Sequence, residues 1–182
     1  QSSNLIGYGW QRSIDGSPRP VLDQFLYSAV QRAEDDGYHM LAFLSGDDIE
    51  TTLALYRDIY ARRQVEGFIL ADTNDDDPRI KLLIEEGIPF ASFGRANDEW
   101  DFCWVDVDGR SGMRQITTHL QEQGHEKIAL VTWPEGSRAG DEREIGYFTQ
   151  MEQAGLAVAP EWVLRGEHTV NQGYQLMTQL LD

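Results

Sequence analysis

Cysteine is almost missing from this chain of 182 residues. Cys103 is the only one, so no internal disulfide can form, and the sequence fits a reducing compartment. Positive charge is scarce as well. Fifteen Lys and Arg stand against 31 Asp and Glu, a net charge of −16. A chain this acidic repels nucleic-acid phosphates on average, so any contact with DNA belongs to another part of the protein. No apolar run is long enough to span a bilayer, and the start carries no signal-peptide pattern. The cytoplasm is therefore the expected location, with no membrane partner.

Catalytic signatures are missing too. There is no G-x-x-x-x-G-K phosphate loop. Gly7-Tyr8-Gly9 imitates the start of G-x-G-x-x-G, but Arg12 holds the third glycine position. Residues 109–112, G-R-S-G, are not a nucleophile elbow. Cys103 has no evident base partner and reads as a small buried hydrophobe. His39, His119, His125 and His168 lack metal-ligand spacing, and Asp75-Asp76-Asp77 reads as a solvated turn. No enzyme, metal or cofactor is implied.

What is present is a regular alternation. With 41% hydrophobic residues and 10% aromatics the chain can bury a core. Short apolar strands at 5–9, 38–45, 67–71, 89–93 and 102–107 alternate with helices. The first helix has a stripe of Val21, Leu22, Phe25, Leu26, Ala29, Val30 and Ala33, closed by Gly37. The second spans 48–64, with Leu53, Tyr56 and Tyr60 on one face and Leu55 and Ile59 beside them. The third spans 78–86, with Pro78 early, where a missing N–H costs little.

Residues 105–133 organise the rest. Asp108 can cap a helix whose Met113, Ile116 and Leu120 mark a buried stripe, and Gly124 can end it. The run 127–133 suits a strand covered on both faces. A helix at 142–154, a strand at 162–165 and a helix at 170–181 follow. Such alternation predicts an α/β fold with parallel sheets and right-handed crossovers. The boundaries expected are 1–107 for a first lobe and 108–182 for part of a second, which has too few strands for a complete doubly wound sheet.

The same stretch resembles the lactose/galactose repressor (LacI/GalR) family of bacterial transcription factors. The residues are Val105, Val107, Asp108, Gly109 and Gly112, then His119, Leu120, Gly124, His125, Lys127, Ile128, Ala129 and Leu130. V-E-G-F-I-L at 65–70, E-G-I-P at 86–89 and R-x-x-G-Y at 143–147 follow the family's order, while D-P-R-I at 77–80 and F-G-R at 93–95 look like a sugar-responsive subgroup. The resemblance implies a periplasmic-binding-protein-like effector core whose two lobes meet near 106–109. It implies a small-molecule effector, a sugar, whose binding between the lobes closes them. It also implies a homodimer, and operator DNA bound only through a helix-turn-helix headpiece that these residues lack. The C-terminal third of the family's core is likewise not among them.

Ligands of open parallel sheets bind beyond the carboxyl ends of the strands. Trp10, Asp72, Arg95, Asp108 and Trp133 fall there. An Arg fork and an indole face are what a sugar needs, the one for hydroxyls and the other for the apolar ring face. Arg95 also carries the F-G-R match; its structural alternative is a surface pair with Asp98 or Glu99. For Arg143 the resemblance implies an effector contact from the first turn of its helix; its alternative is pairing with Glu142 or Asp141. Trp133 either stacks on ligand or covers the lobe edge. Asp108 has a full explanation as an N-cap, with an effector role added to it. A periplasmic-type sugar-binding protein for transport is the rival reading, and a small-molecule enzyme on a doubly wound sheet comes third.

Overall fold

The computed structural model describes residues 3–11 and 19–181. Arg12 and the polar loop that follows it lie outside the described residues. The backbone divides into two compact units, Gln1–Asp106 and Val107–Asp182.

In the first unit β1 (Leu5–Trp10), α1 (Pro20–Asp35), β2 (His39–Leu44), α2 (Ile49–Ala61), β3 (Gly67–Leu70), α3 (Pro78–Glu85), β4 (Phe90–Phe93) and β5 (Cys103–Val105) follow in order. All strand pairs are parallel, and the sheet order is β2-β1-β3-β4-β5. The chain therefore runs outward from β1 to β2 and then crosses back to β3. That reversal between β1 and β3 is the topological switch point, where a crevice opens beyond the strand ends.

The helix starts are chemically specified. Asp48 accepts a hydrogen bond from the Thr51 N–H at 2.7 Å and caps α2. Asp77 caps α3 with Pro78 next to it. Gly37, at φ +80°, lets the Tyr38 N–H return to the Ala33 carbonyl at 2.8 Å and so closes α1. The core holds Tyr56, Phe68, Leu70, Ile80 and Leu83, with Leu53, Leu55 and Tyr60 packed against it. Close approach is required at Gly7, where a Cβ would stand 2.5 Å from the Phe68 ring.

Two expectations fail in this unit. Asp77 does not lie in a solvated turn; it is 2% exposed and locked to Arg79. Its neighbours Asp75 and Asp76 are exposed, but the third carboxylate is taken inward by the helix it caps. Cys103 is exposed, not buried, because β5 is the edge of the sheet and its residues stand open.

The second unit contains α4 (Gly109–Glu122), β6 (Leu130–Thr132), α5 (Arg138–Gln153), a 3-10 turn (Pro160–Trp162), β7 (Val163–Arg165) and α6 (Val170–Leu181). β6 and β7 pair in parallel. Asp108 caps α4 by accepting from the Ser111 N–H at 2.8 Å. Gly124, at φ +89°, ends it as Gly37 ends α1. Ile128, Leu130, Tyr147 and Met151 form the core, and the Tyr147 hydroxyl donates to the Ile128 carbonyl at 2.6 Å.

Three readings need correction here. Ile116 is 56% exposed; the buried stripe of α4 runs instead through Met113, Thr117 and Leu120. Thr117 can enter the core because its hydroxyl donates to the Met113 carbonyl at 2.8 Å, so no polar group is left bare. β6 begins at Leu130, not at 127, and Val131 faces solvent between two buried neighbours. α5 begins at Arg138, so Arg143 sits in its second turn, not its first.

Candidate functional site

In the first unit the strand ends at the switch point are tied to one another. Trp10 is the last residue of β1 and packs edge-on to Tyr8, with centroids 5.9 Å apart. The Gln11 Nε2 donates to the Asp72 carbonyl at 3.2 Å, which joins the end of β1 to the end of β3. Asp72 has φ +56°, a left-handed conformation that a non-glycine residue adopts at a cost. Its carboxylate pairs with Arg19 at 2.6 Å. The Thr73 hydroxyl donates to the Arg95 carbonyl at 3.1 Å, joining β3 to β4.

Arg95 is ordered from two sides. Its Nε donates to Asp106 at 3.1 Å, a weaker pair reaches Asp98 at 3.8 Å, and its guanidinium lies 5.3 Å from the Trp104 ring centroid. The surface pair with Asp98 is thus present but secondary to Asp106. Trp10, Asp72 and Arg95 are brought to one end of the sheet, linked through Gln11 and Thr73.

Beneath them lies a buried polar cluster. Asp77 accepts from the Arg79 N–H and Nε, both at 3.0 Å, and from Nη2 at 2.7 Å. Nη2 also reaches the Asp72 carbonyl at 2.9 Å and the Ala71 carbonyl at 3.4 Å. Burial alone would lower the pKa of the Arg79 guanidinium, but its bonds and charge attraction to Asp77 outweigh this and hold it above its ordinary value. The Tyr56 hydroxyl and the Arg79 Nη1 are sealed from water without a hydrogen-bond partner of normal geometry. Burial pushes the Tyr56 phenol up, and the charge of Arg79 opposes part of that.

The second unit gathers Trp133, Arg143 and His168. The Arg143 guanidinium lies 4.8 Å from the Trp133 centroid, and the His168 ring lies 5.7 Å from it, tilted by 30°. Arg143 Nη1 donates to the Ala139 carbonyl at 2.6 Å. A Cβ on Gly109 would stand 3.2 Å from the Arg143 Cγ, so Arg143 packs on the first residue of the helix that Asp108 caps. The surface pairing considered for Arg143 is not what forms: Glu142 is held by Arg110 at 2.9 Å, and Asp141 stands 3.8 Å from Arg165.

Sequence reasoning missed Arg19, Gln11, Arg79, Trp104, Asp106 and His168. D-P-R-I contained Arg79, but nothing in it signalled burial. Two surface depressions, of about 400 and 310 Å3, lie on α5 and on α4 and include none of the six candidates. Among the described residues no group of three or more His, Cys, Asp or Glu could hold a metal ion. No described helix is long and apolar enough to cross a membrane.

Parallel α/β units with arginine, tryptophan and carboxylate at the strand ends define a class of ligand-binding domain like that of periplasmic binding proteins. A family model described as periplasmic binding proteins and sugar binding domain of the LacI family matches residues 17–182, and the chain belongs to that family. A transcriptional regulator of Thermobifida fusca, CelR, is 36% identical over 124 residues, 67% of this chain and 36% of its own length. A probable transcriptional repressor of Bacillus subtilis, ExuR, is 25% identical over 183 residues, 100% of this chain and 53% of its own. The chain thus spans between about a third and a half of these relatives. Among solved structures, a LacI-family regulatory protein from Chloroflexus aggregans superposes with a TM-score of 0.90 at 40% identity, covering 99% of this chain and 64% of its own. A CelR–cellobiose complex superposes at 0.87 with 25% identity, covering 100% of this chain and 56% of its own.

Proposed function

We propose that this chain is the effector-sensing core of a bacterial transcriptional regulator and that the effector is a sugar. Residues 1–107 act as the first lobe and 108–182 as part of the second. Each lobe contributes one set of contacts: Trp10, Asp72 and Arg95 from the first, Asp108, Trp133 and Arg143 from the second. The observation that carries the reading is the Trp133–Arg143 pair: the guanidinium lies over the indole, which orders its fork of donors. Vicinal sugar hydroxyls are recognised by such a fork.

The named relatives are transcriptional regulators, which favours regulation over transport and over catalysis. In the whole protein a separate headpiece binds operator DNA, and the sugar biases that binding by its different affinity for the states of the core. The cytoplasm follows as the place of action. Calorimetry against a panel of mono- and disaccharides that includes cellobiose tests the reading. Saturable binding of one sugar supports it; no heat with any of them defeats it.

A homodimer through the outer side of the first unit is part of the same proposal. The stripe on α2 does not support it, because Leu53, Tyr56 and Ile59 are spent on the core. Exposed Val21, Tyr27 and Leu44 do, since they lie on α1 and on the edge strand β2. Sedimentation with monomer alone at high concentration counts against it.

A further inference from the structure

We propose that Arg79 is a positioning residue: it holds Asp72 in its left-handed conformation and thereby sets the geometry of the sugar contacts at the β1/β3 switch point. This rests on the reading of Asp72 as an effector contact.

A left-handed backbone costs free energy at a residue that is not glycine. At φ +56° Asp72 has its own carbonyl and that of Ala71 within reach of one nitrogen, Arg79 Nη2. Two carbonyls of consecutive residues that face one side repel each other unless a donor lies between them. Arg79 Nη2 is that donor, at 2.9 Å from one and 3.4 Å from the other. The contact is shielded, because Arg79 is 2% exposed and water does not compete for the carbonyls.

Arg79 is in turn immobilised. Asp77 accepts from its Nε, its Nη2 and its backbone N–H. A guanidinium gripped along one edge can present its remaining donors at fixed distance. Capping α3 needs only the Asp77 side chain; it does not need an arginine brought into the core. Burying an ion pair carries a desolvation cost, and the geometry shows where the charge is used, on the carbonyl of a candidate contact residue. Asp72 passes the order outward. Its carboxylate pairs with Arg19, its carbonyl also accepts from Gln11 beside Trp10, and the next residue, Thr73, fastens the Arg95 carbonyl. One buried fork thus stands behind three of the candidate contacts.

Four variants and two measurements test this. R79K keeps a positive charge but loses the Nε bond to Asp77 and the planar fork that fixes where Nη2 presents its donors to the two carbonyls. D77N/R79M removes both charges at once and keeps a capping amide, so it folds even if R79K does not. The first measurement needs no sugar. A positive φ shortens the distance between a residue's own N–H and Hα, and NMR reports it as a strong intraresidue contact. That contact at Asp72 is expected to weaken in both R79K and D77N/R79M, with shifted amides at Gln11 and Thr73; an unchanged contact overturns the proposal. The second measurement is cellobiose affinity in wild type, R79K, D72A and R79K/D72A. At least a tenfold loss is expected for R79K alone, and a smaller loss once the Asp72 carboxylate is already gone, because only the contacts ordered through its carbonyl then remain to be disturbed. Independent, additive losses would mean that Arg79 does not act through Asp72, and would overturn the proposal. If the wild type binds no sugar, the functional reading fails, and the NMR measurement alone then decides the role of Arg79.

Discussion

The guanidinium of Arg143 lies over the indole of Trp133, 4.8 Å from the ring centroid. Arg95 repeats the arrangement over Trp104 in the other unit, at 5.3 Å. Each arginine is held by a ring face and by an oxygen acceptor, Ala139 for one and Asp106 for the other. An arginine already confined in this way loses less side-chain freedom when it grips a ligand. Exposed contacts of this kind contribute about 0.5–1 kcal/mol each, enough to bias a rotamer without locking it.

Replacing either arginine by lysine should therefore weaken sugar binding in two ways, by removing the fork and by freeing the side chain. Charge-assisted hydrogen bonds contribute about 1.5–3 kcal/mol each, so R95K and R143K should each lose about ten- to a hundredfold in affinity. Calorimetry with circular dichroism as a control for folding checks it. Undiminished affinity in both variants would take these residues out of the site.

Tyr56 offers a contrast within the core. Its ring is fully buried, but its hydroxyl has no hydrogen-bond partner of normal geometry. Y56F should change stability by less than about 1 kcal/mol, because little bonding is lost. L83A, which removes a fully buried aliphatic chain from the same cluster, should cost about 2–5 kcal/mol. Urea unfolding of the two variants side by side measures the difference.

The cap of α2 predicts a pH dependence. The backbone hydrogen bond from Thr51 holds the Asp48 carboxyl below its ordinary value. A carboxylate with a lowered folded-state pKa stabilises the fold above its unfolded-state pKa, and that contribution disappears as pH falls through the folded-state value. The difference in melting temperature between wild type and D48A should accordingly be widest near neutral pH and shrink in acid. A gap that stays constant into acid would show that charge plays no part in the cap.

The charge of −16 predicts that these 182 residues do not bind specific DNA by themselves. A gel shift with the native operator checks this. Salt-sensitive, sequence-specific retention would place a DNA contact within the chain.

Local chemistry was legible from the residues alone because it acts over a few positions. Asp108 caps α4 since an aspartate there can reach an N–H three residues on, whatever surrounds it. Gly37 and Gly124 end helices because a left-handed residue is cheapest as glycine. Alternating apolar runs and helical stripes led to the parallel α/β order because burial on both faces of a sheet demands them. What long-range packing decided was not legible. Ile116 and Thr117 are adjacent on one helix, and which of them turns inward depends on how α4 lies against α5. Asp77 looks like its two exposed neighbours in sequence, and although its partner Arg79 is only two residues on, it is the packing of α3 against the core that takes the pair inward. Arg143 had two acids beside it along the chain, yet Arg110 came from 32 residues away to engage Glu142 and Arg165 from 24 to engage Asp141, and Arg143 went to Trp133. A charged side chain goes to the partner that the fold brings within reach, and sequence proximity does not measure that distance.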